Sequence, residues 1–592
     1  MRALLPYFLC IGACARPAPP ASPPASPPAS PRTAERTAKC GLQADGSRTF
    51  GILHINDVYR IEGLLDGSGG FGRLRRLRLE LEADCPELLF THGGDFLSPS
   101  LLSKSTNSAL DPKRKVRFYG EHMVDLLARM DGDPEQFDPR MFIAIGNHEF
   151  DNGGDTFGPR LSELIDQSGG TWLDTNLIWK DVERDGTVHK APHSDHLQPH
   201  AVIELAGLRV GLLGMTFDMK VEKKGSLVPK RAYFDTRDDH AAEARNAIAA
   251  MGATDVQIAL THLDVSEDMA LMEAVPELDL LLGGHNHTAM TRMVDGRPVL
   301  KADADATTVR VAYITVASDG TVSVAHDDTD LSDDLDATRL RGAVDPTMQA
   351  RVDHWEARLA EGFCGPQDLG CLDAQLTITG NDFDALELDI RRYETNVGDK
   401  AADLALGAWA EQGAQLAFMN SGGMRLNQTI PAGKPFNRRQ QEELFPYSAP
   451  VYLIELTGAE LQGIADRSVE AWEGNGHWLQ VSGWGFIHDP SANGGAGSAS
   501  QLHLLPRYGE PVPIHPNATY RAVTNEYLVT DAYGDRDGYT FPVRYVGDKP
   551  ADPPDVKALF GAFLAQSPTT SLPTEGRICN TTRSGPCRIP SE

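Results

Sequence analysis

Five short apolar runs constrain this chain more than any other feature: 50–55, 87–91, 141–145, 256–261 and 278–282, each ended by a side chain suited to metal. Asp57 follows the first, Asp95 the second, Asn147 and His148 the third, His262 the fourth, and His285 with His287 the fifth. Runs of this length, alternating with amphipathic stretches, predict the buried strands of an α/β domain. In such sheets ligands bind outside the carboxyl ends of the strands. Five strands delivering Asp, Asn and His to one edge therefore predict a metal site there.

The local spelling supports this: Asp57, Gly94-Asp95, Gly146-Asn147-His148-Glu149, Thr261-His262 and Gly283-Gly284-His285-Asn286-His287. Two divalent ions close together need one bridging carboxylate, with His, Asn or Asp completing each shell. Glycine beside a ligand lets backbone and ion approach closely. Singly, a GD or TH dipeptide is usually a turn or a satisfied polar group; the ordered set at five strand ends carries the inference. Paired ions of this kind clamp a phosphoryl group and lower the pKa of a bound water. His148 directly follows a metal-type residue, so its ring can face a phosphoryl or leaving oxygen. Asp151, three residues on, can hold that ring and keep it charged.

The stretches ILHINDVY, GGDF, GNHEFD, THL and GGHNH resemble the 5'-nucleotidase family of the calcineurin-like metallophosphoesterase superfamily, a likeness running from about 48 to 567. The resemblance implies an α/β fold (an α+β sandwich), with a four-layer metallophosphoesterase domain and a smaller C-terminal α/β substrate-binding domain joined by a linking helix. It implies that Asp57, Asp95 and His287 hold a first metal. Asp95, Asn147, His262 and His285 would hold a second, with Asp95 bridging, and His148 and Asp151 would form the catalytic dyad. The expected cofactors are two divalent ions, zinc, manganese or another, with a metal-held water as nucleophile and no covalent intermediate. One position departs from the pattern. The family usually has Asp-x-His at the first strand, and this chain has Asp57-Val58-Tyr59. Three outcomes follow: Tyr59 ligates directly, which would suit ferric iron; a water fills the gap; or the first site is weak.

The C-terminal half resembles the family's substrate domain in Arg391-Arg392-Tyr393-Glu394-Thr395-Asn396, Asn420-Ser421-Gly422-Gly423-Met424-Arg425, Leu479-Gln480-Val481-Ser482-Gly483 and Asp537-Gly538-Tyr539. By that resemblance Arg391 and Arg425 meet the phosphate or ribose side of a nucleotide and Asn420 its base or sugar. Tyr447 and Tyr527 sandwich the base, a contact of about 1–3 kcal/mol per base in nucleic-acid binders. Asp537 accepts from ribose hydroxyls, with Asp535 as its rival because DAYGDRDGY is longer than the family pattern. The expected activity is hydrolysis of nucleoside 5'-monophosphates to nucleoside and phosphate. The alternatives are a nucleotide-sugar or 2',3'-cyclic nucleotide hydrolase of the same family, or a tethered nucleotide-binding protein that has lost turnover.

The remaining features bound the setting. At 592 residues the chain exceeds one hydrophobic core. The expected divisions are a signal peptide at 1–15, a Pro-rich linker at 16–47, the metallophosphoesterase domain at 48–335, a linker helix and hinge at 336–372, the substrate-binding domain at 373–567 and a tail at 568–592. The formal charge of −28 opposes binding to nucleic-acid polymers or anionic membranes. The expected partner is a small nucleotide, in a monomer or a dimer, with a membrane reached only through an N-terminal lipid. MRALLPYFLCIGACA has the form of a signal peptide. Ile11-Gly12-Ala13-Cys14 resembles a bacterial lipobox that would lipidate Cys14; cleavage near Ala15 is the alternative. The PPAS repeat at 17–31 would form an extended spacer. Export, to a periplasm or a cell surface, makes disulfides the expected state of Cys364 with Cys371, Cys579 with Cys587, and Cys40 with Cys85.

Overall fold

The computed structural model describes residues 39–64, 67–105, 118–151, 156–216, 233–331, 344–365, 368–470, 472, 475–530 and 536–590. β1 (Gly41–Leu42), β2 (Arg48–Ile55), β3 (Leu89–His92), β4 (Met141–Ala144), β5 (Thr171–Leu173) and β6 (Leu197–Gln198) lie in a first sheet. β7 (His200–Leu205), β8 (Leu208–Thr216), β9 (Val256–His262), β10 (Leu280–Gly283), β11 (Met290–Val294) and β12 (Arg297–Lys301) build a second, and β13 (Thr308–Val316) and β14 (Val322–Asp330) return to the first. The orders are β14-β13-β2-β3-β4-β5-β6, with β1 paired to β2, and β7-β8-β9-β10-β12-β11. β2 to β6 run parallel, as do β8, β9, β10 and β12.

Successive strand residues face opposite ways, and this sorts the core into layers. Phe50, Ile52, Leu89 and Phe142 of the first sheet meet Leu212, Ile258, Leu260 and Leu282 of the second. The alternate residues Leu53, Phe90 and Ile143 face helices α1 (Phe71–Asp84), α2 (Glu121–Leu127) and α3 (Phe157–Ser168) through Leu74, Met123 and Leu161. Ala259 and Leu281 face α4 (His240–Met251) and α5 (Val265–Ala274) through Ala247 and Leu271. Helix, sheet, sheet, helix is the four-layer arrangement. The five expected strands are all present, but three lie in the first sheet and two in the second. Their carboxyl ends meet where the sheets converge rather than along one edge.

Helix α6 (Pro346–Cys364) follows. Asp345 caps it by accepting from Met348 N–H at 2.7 Å, and Pro346 sits at the first turn. Proline is accommodated at such a helix start, because the missing N–H has no partner to lose there. Met348, Val352, Trp355 and Leu359 form its buried face. The part of the expected linker at 336–343 lies outside the described residues.

Beyond it come α7 (Glu387–Ile390), α8 (Asn396–Ala408), β15 (Leu416–Asn420), α9 (Arg438–Leu444), β16 (Val451–Thr457), β17 (Leu479–Ser482) and β18 (Thr519–Asn525), in a sheet ordered β16-β18-β15-β17. Leu416 and Phe418 belong to one core and Ala417 and Met419 to the other, so both faces of this sheet are covered. The glycine-rich stretch 493–500 turns at Ala492–Gly495 and enters a strand, Ser498–Leu504, paired with Trp484–Asp489. Three glycines at positive φ (Gly494, Gly495 and Gly497) make that turn. Cys40–Cys85, Cys364–Cys371 and Cys579–Cys587 are disulfide-bonded. The signal peptide, Cys14 and the PPAS repeat lie outside the described residues. Among the described residues no helix is long and apolar enough to cross a membrane.

A charged cluster ties the two halves together. Arg60 lies 3.4 Å from Glu443 of α9, and Arg439 of α9 lies 3.3 Å from Glu62 and 2.7 Å from Glu356 of α6. Three carboxylates share two guanidiniums. Burial, and then the Glu62 charge, push Glu356 and Glu443 up to about 7 from 4.5. A carboxyl raised on folding binds more protons in the native than in the unfolded state, so its contribution is lost as pH rises from 4.5 to about 7. The uncharged variant E443Q is therefore expected to gain on the wild type by about 1–3 kcal/mol between pH 5 and 8. Denaturant titration of both proteins across that range checks this, and parallel profiles would contradict it.

Candidate metal centre

Four of the expected ligands sit on left-handed backbone: Asp57 (φ 52°), Asp95 (φ 59°), His285 (φ 80°) and His287 (φ 58°). Such non-glycine conformations cost about 1–3 kcal/mol each and concentrate at functional sites. Here the surrounding loops enforce them. Glu149, fully buried, accepts from the N–H groups of Asp95 (2.9 Å), Phe96 (2.9 Å), Leu97 (3.2 Å) and Gly146 (2.7 Å), lashing the loop after β3 to the loop after β4. Asn56 donates to Asp57 Oδ2 at 2.8 Å and accepts from Ala302 N–H at 2.7 Å. His285 N–H reaches the same Asp57 oxygen at 2.9 Å. The glycines beside the ligands leave no room for a side chain: a Cβ on Gly284 would stand 2.4 Å from Gly93 O.

The ligating atoms of Asp57, Asp95 and His262 all lie within 4.8 Å of one another, with the three residues buried. His262 Nε2 stands 3.1 Å from Asp95 Oδ2, while its Nδ1 bonds Gly93 O at 2.7 Å. His287 Nε2 stands 3.3 Å from Asp57 Oδ1. The His285 ring meets the His262 ring edge-on, with centroids 5.3 Å apart. Asn147 Oδ1 is buried with no hydrogen-bond partner among the described residues. Tyr59 points its hydroxyl into the same cluster, 3.1 Å from His287 Nε2, 3.4 Å from Asp95 Oδ2 and 3.5 Å from Asp57 Oδ1.

The electrostatics are those of a cation-seeking pocket. Burial alone would raise Asp57 and Asp95, but the neighbouring histidines hold both well below the usual carboxylate range. Against burial, the Asp95 charge pushes His262 up to about 9. Burial and the nearby His262 charge lower His285 to about 3. Two carboxylates, three imidazoles and an orphaned amide oxygen suit a pair of divalent ions of intermediate hardness. The residues present therefore fit the group the fold implies.

Around this cluster stand the other expected residues. His148 Nδ1 bonds Asp151 Oδ2 at 2.6 Å, and its backbone N–H donates to Asp95 Oδ1 at 2.7 Å. Its Nε2 faces the cluster, 3.9 Å from Asp95 Oδ2. Tyr447, expected against a base, directs its hydroxyl to Asp151 Oδ2 at 3.2 Å. Arg425 lies over the Tyr59 ring at 5.6 Å. Arg391, 4 % exposed, lies 2.6 Å from Glu387 Oε2. Asn420, Tyr527 and Asp537 form a second group: Asn420 Nδ2 donates to Asp537 Oδ2 at 2.9 Å and Tyr527 OH to Asp537 Oδ1 at 2.8 Å. Asn525 Nδ2 completes it by donating to Asn420 Oδ1 at 2.7 Å. Asp535 lies outside the described residues. Sequence reasoning missed Glu149, Asn56 and Glu387. Glu149 stood within the GNHE motif, a usable signal; Glu387 carried none.

Residues 50–289 match the family model for the calcineurin-like phosphoesterase, and residues 376–540 match that for the 5'-nucleotidase C-terminal domain. The trifunctional nucleotide phosphoesterase protein YfkN of Bacillus subtilis is 25 % identical over 503 residues, covering 82 % of this chain and 32 % of that protein. The snake venom 5'-nucleotidase of Crotalus adamanteus is 24 % identical over 549 residues, 83 % of this chain and 82 % of that one. The 5'-nucleotidase precursor of Thermus thermophilus shares the fold with a TM-score of 0.66 and 20 % identity, over 90 % of this chain and all of that one. The sulfate thiohydrolase SoxB of the same genus shares it with a TM-score of 0.61 and 14 % identity, over 90 % of this chain and 97 % of that one. Fold and matched domains together define a phosphoric ester hydrolase. The chain belongs to the 5'-nucleotidase family of the calcineurin-like metallophosphoesterases.

The tight packing at Gly146 yields a direct test. A Cβ there would stand 2.1 Å from Asp95 Oδ1. Gly146→Ala is expected to displace Asp95 and weaken manganese binding by at least about tenfold, at a cost of about 1–3 kcal/mol in stability. Titration calorimetry and denaturant unfolding measure the two effects, and wild-type metal affinity would show that Asp95 tolerates the displacement.

Proposed function

We propose that the chain hydrolyses nucleoside 5'-monophosphates to nucleoside and phosphate. One observation carries this: Arg391 Nε and Arg425 Nη1 are buried donors with no hydrogen-bond acceptor, beside a carboxylate and histidine cluster, among the described residues. Buried donors left unmade cost about 1–3 kcal/mol each, so such a set is kept for a ligand. A phosphate supplies acceptor oxygens that fit both guanidiniums.

Asp57, Asp95 and His287 would hold one divalent ion, and Asp95, Asn147, His262 and His285 the other. When bound, such ions polarise phosphoryl oxygens and lower the pKa of a coordinated water. The chain's own residues do the rest. Arg391 and Arg425 clamp the phosphate. Asp151 accepts from His148 Nδ1–H, and with the ring in its doubly protonated form Nε2–H faces the cluster and would donate its proton to the leaving oxygen. Tyr447 steadies Asp151 from the C-terminal half. The Asn420, Asn525 and Asp537 group offers donors and acceptors to a ribose or base, with the Tyr527 ring alongside for stacking. Three disulfides support export, because such bonds persist in oxidising compartments. A lipid at Cys14 would tether the enzyme at a periplasmic or outer surface.

Tyr59 favours one competing reading. Its hydroxyl occupies the place where a histidine ligand would add affinity, so a weak first site would leave a nucleotide receptor without turnover. The two are separated by phosphate release from nucleoside monophosphates, nucleotide sugars and 2',3'-cyclic nucleotides, with manganese, zinc or iron added. One nucleoside monophosphate class is expected to turn over, and His148→Ala to lose about 10²–10⁴-fold in kcat. Nucleotide binding without phosphate release under every metal would overturn the hydrolase proposal in favour of the receptor.

A further inference from the structure

We infer that Glu387 is a positioning residue through which the C-terminal half completes the metal centre of the N-terminal half. Glu387 belongs to α7 and is 2 % exposed. Its Oε2 bonds His287 Nδ1 at 2.6 Å, across 100 residues of sequence. With the Nδ1 proton given to a carboxylate, the ring presents Nε2 as its lone-pair nitrogen, which is the nitrogen that faces Asp57 Oδ1 and the Tyr59 hydroxyl. A ring fixed in tautomer and orientation by a carboxylate is the usual support of a metal-binding histidine.

The same oxygen lies 2.6 Å from Arg391 Nη2. That contact is an ion pair, while Arg391 Nε has no hydrogen-bond acceptor among the described residues. Glu387 therefore holds one end of the guanidinium and leaves Nε as an unmet donor. One buried carboxylate orients a ligand of the first metal on one side and an anion-binding arginine on the other. A ligand position of the N-terminal half and an arginine of the C-terminal half are thus joined through one carboxylate.

This inference rests on the hydrolase proposal for its kinetic arm only; its metal arm stands independently. The variants are E387A, E387Q and E387D, each tested for manganese binding by calorimetry and electron paramagnetic resonance, for thermal unfolding, and for kcat and KM with the nucleoside monophosphate turned over. In E387A and E387Q one of two manganese ions is expected to bind about 10–100-fold more weakly while the other is unchanged. E387D is expected to recover part of the loss, because it keeps the charge. Excess manganese is expected to restore kcat in E387Q while KM stays raised, since Arg391 remains misplaced. Two ions bound at wild-type affinity by folded E387A, or by E387Q if E387A does not fold, would overturn the inference. A wild type that binds two ions yet releases no phosphate would sink the hydrolase proposal, while the affinity comparison would still judge Glu387.

Discussion

Two buried carboxylates, Asp57 and Asp95, govern the structure around them. Both are shut away from the surface, and an uncompensated buried charge is costly. The fold answers with hydrogen bonds from Asn56 and from the backbone of His148 and His285, and with histidines placed at 3.1–3.3 Å. Positive-φ backbone, glycines without room for a Cβ, and the Glu149 staple all keep these oxygens together. Their mutual repulsion is tolerable only with positive charge between them. The apolar layers of both sheets supply the stability against which this local cost is set.

The same electrostatic logic extends across the two halves. On the cluster side, Glu387, Arg391, Arg425 and Tyr447 reach from the C-terminal half to His287, Tyr59 and Asp151. Away from it, Arg60 and Arg439 meet Glu62, Glu356 and Glu443. Most of these charges are buried, and removing one partner of a buried pair leaves the other uncompensated, so each contact holds the two halves in register.

Substrate choice is separated from chemistry in space. In the proposed reaction the metal cluster and the His148–Asp151 pair would recognise a phosphoryl centre in any ester, because metals and imidazole read charge and little else. On that proposal the Asn420, Asn525, Tyr527 and Asp537 group would tell hydroxyls and a ring apart, since Asn420, Tyr527 and Asp537 already hold partners in defined directions. A ligand that mismatches those directions strands a buried donor or acceptor, which discriminates more sharply than apolar fit.

The apolar runs and their terminal Asp, Asn and His were enough to place the strands and the side chains that converge at their ends, because strand burial is local in sequence: each run needs only its own residues to declare itself. The His148–Asp151 pair was legible for the same reason, with the two residues three apart. Tyr59 was legible as a substitution but not in its orientation. That the strands divide between two sheets was decided by packing, as both sheets are equally apolar in sequence. So was the placement of Tyr447 on Asp151, since a tyrosine after an apolar segment reads the same whether it stacks or donates. Glu387 was beyond sequence altogether. An acid at the start of a short helix is ordinary, and only the docking of two halves 100 residues apart puts its carboxylate against His287. Sequence determined what each loop carries; tertiary structure decided which charges meet, because electrostatic partners are chosen by distance in space rather than along the chain.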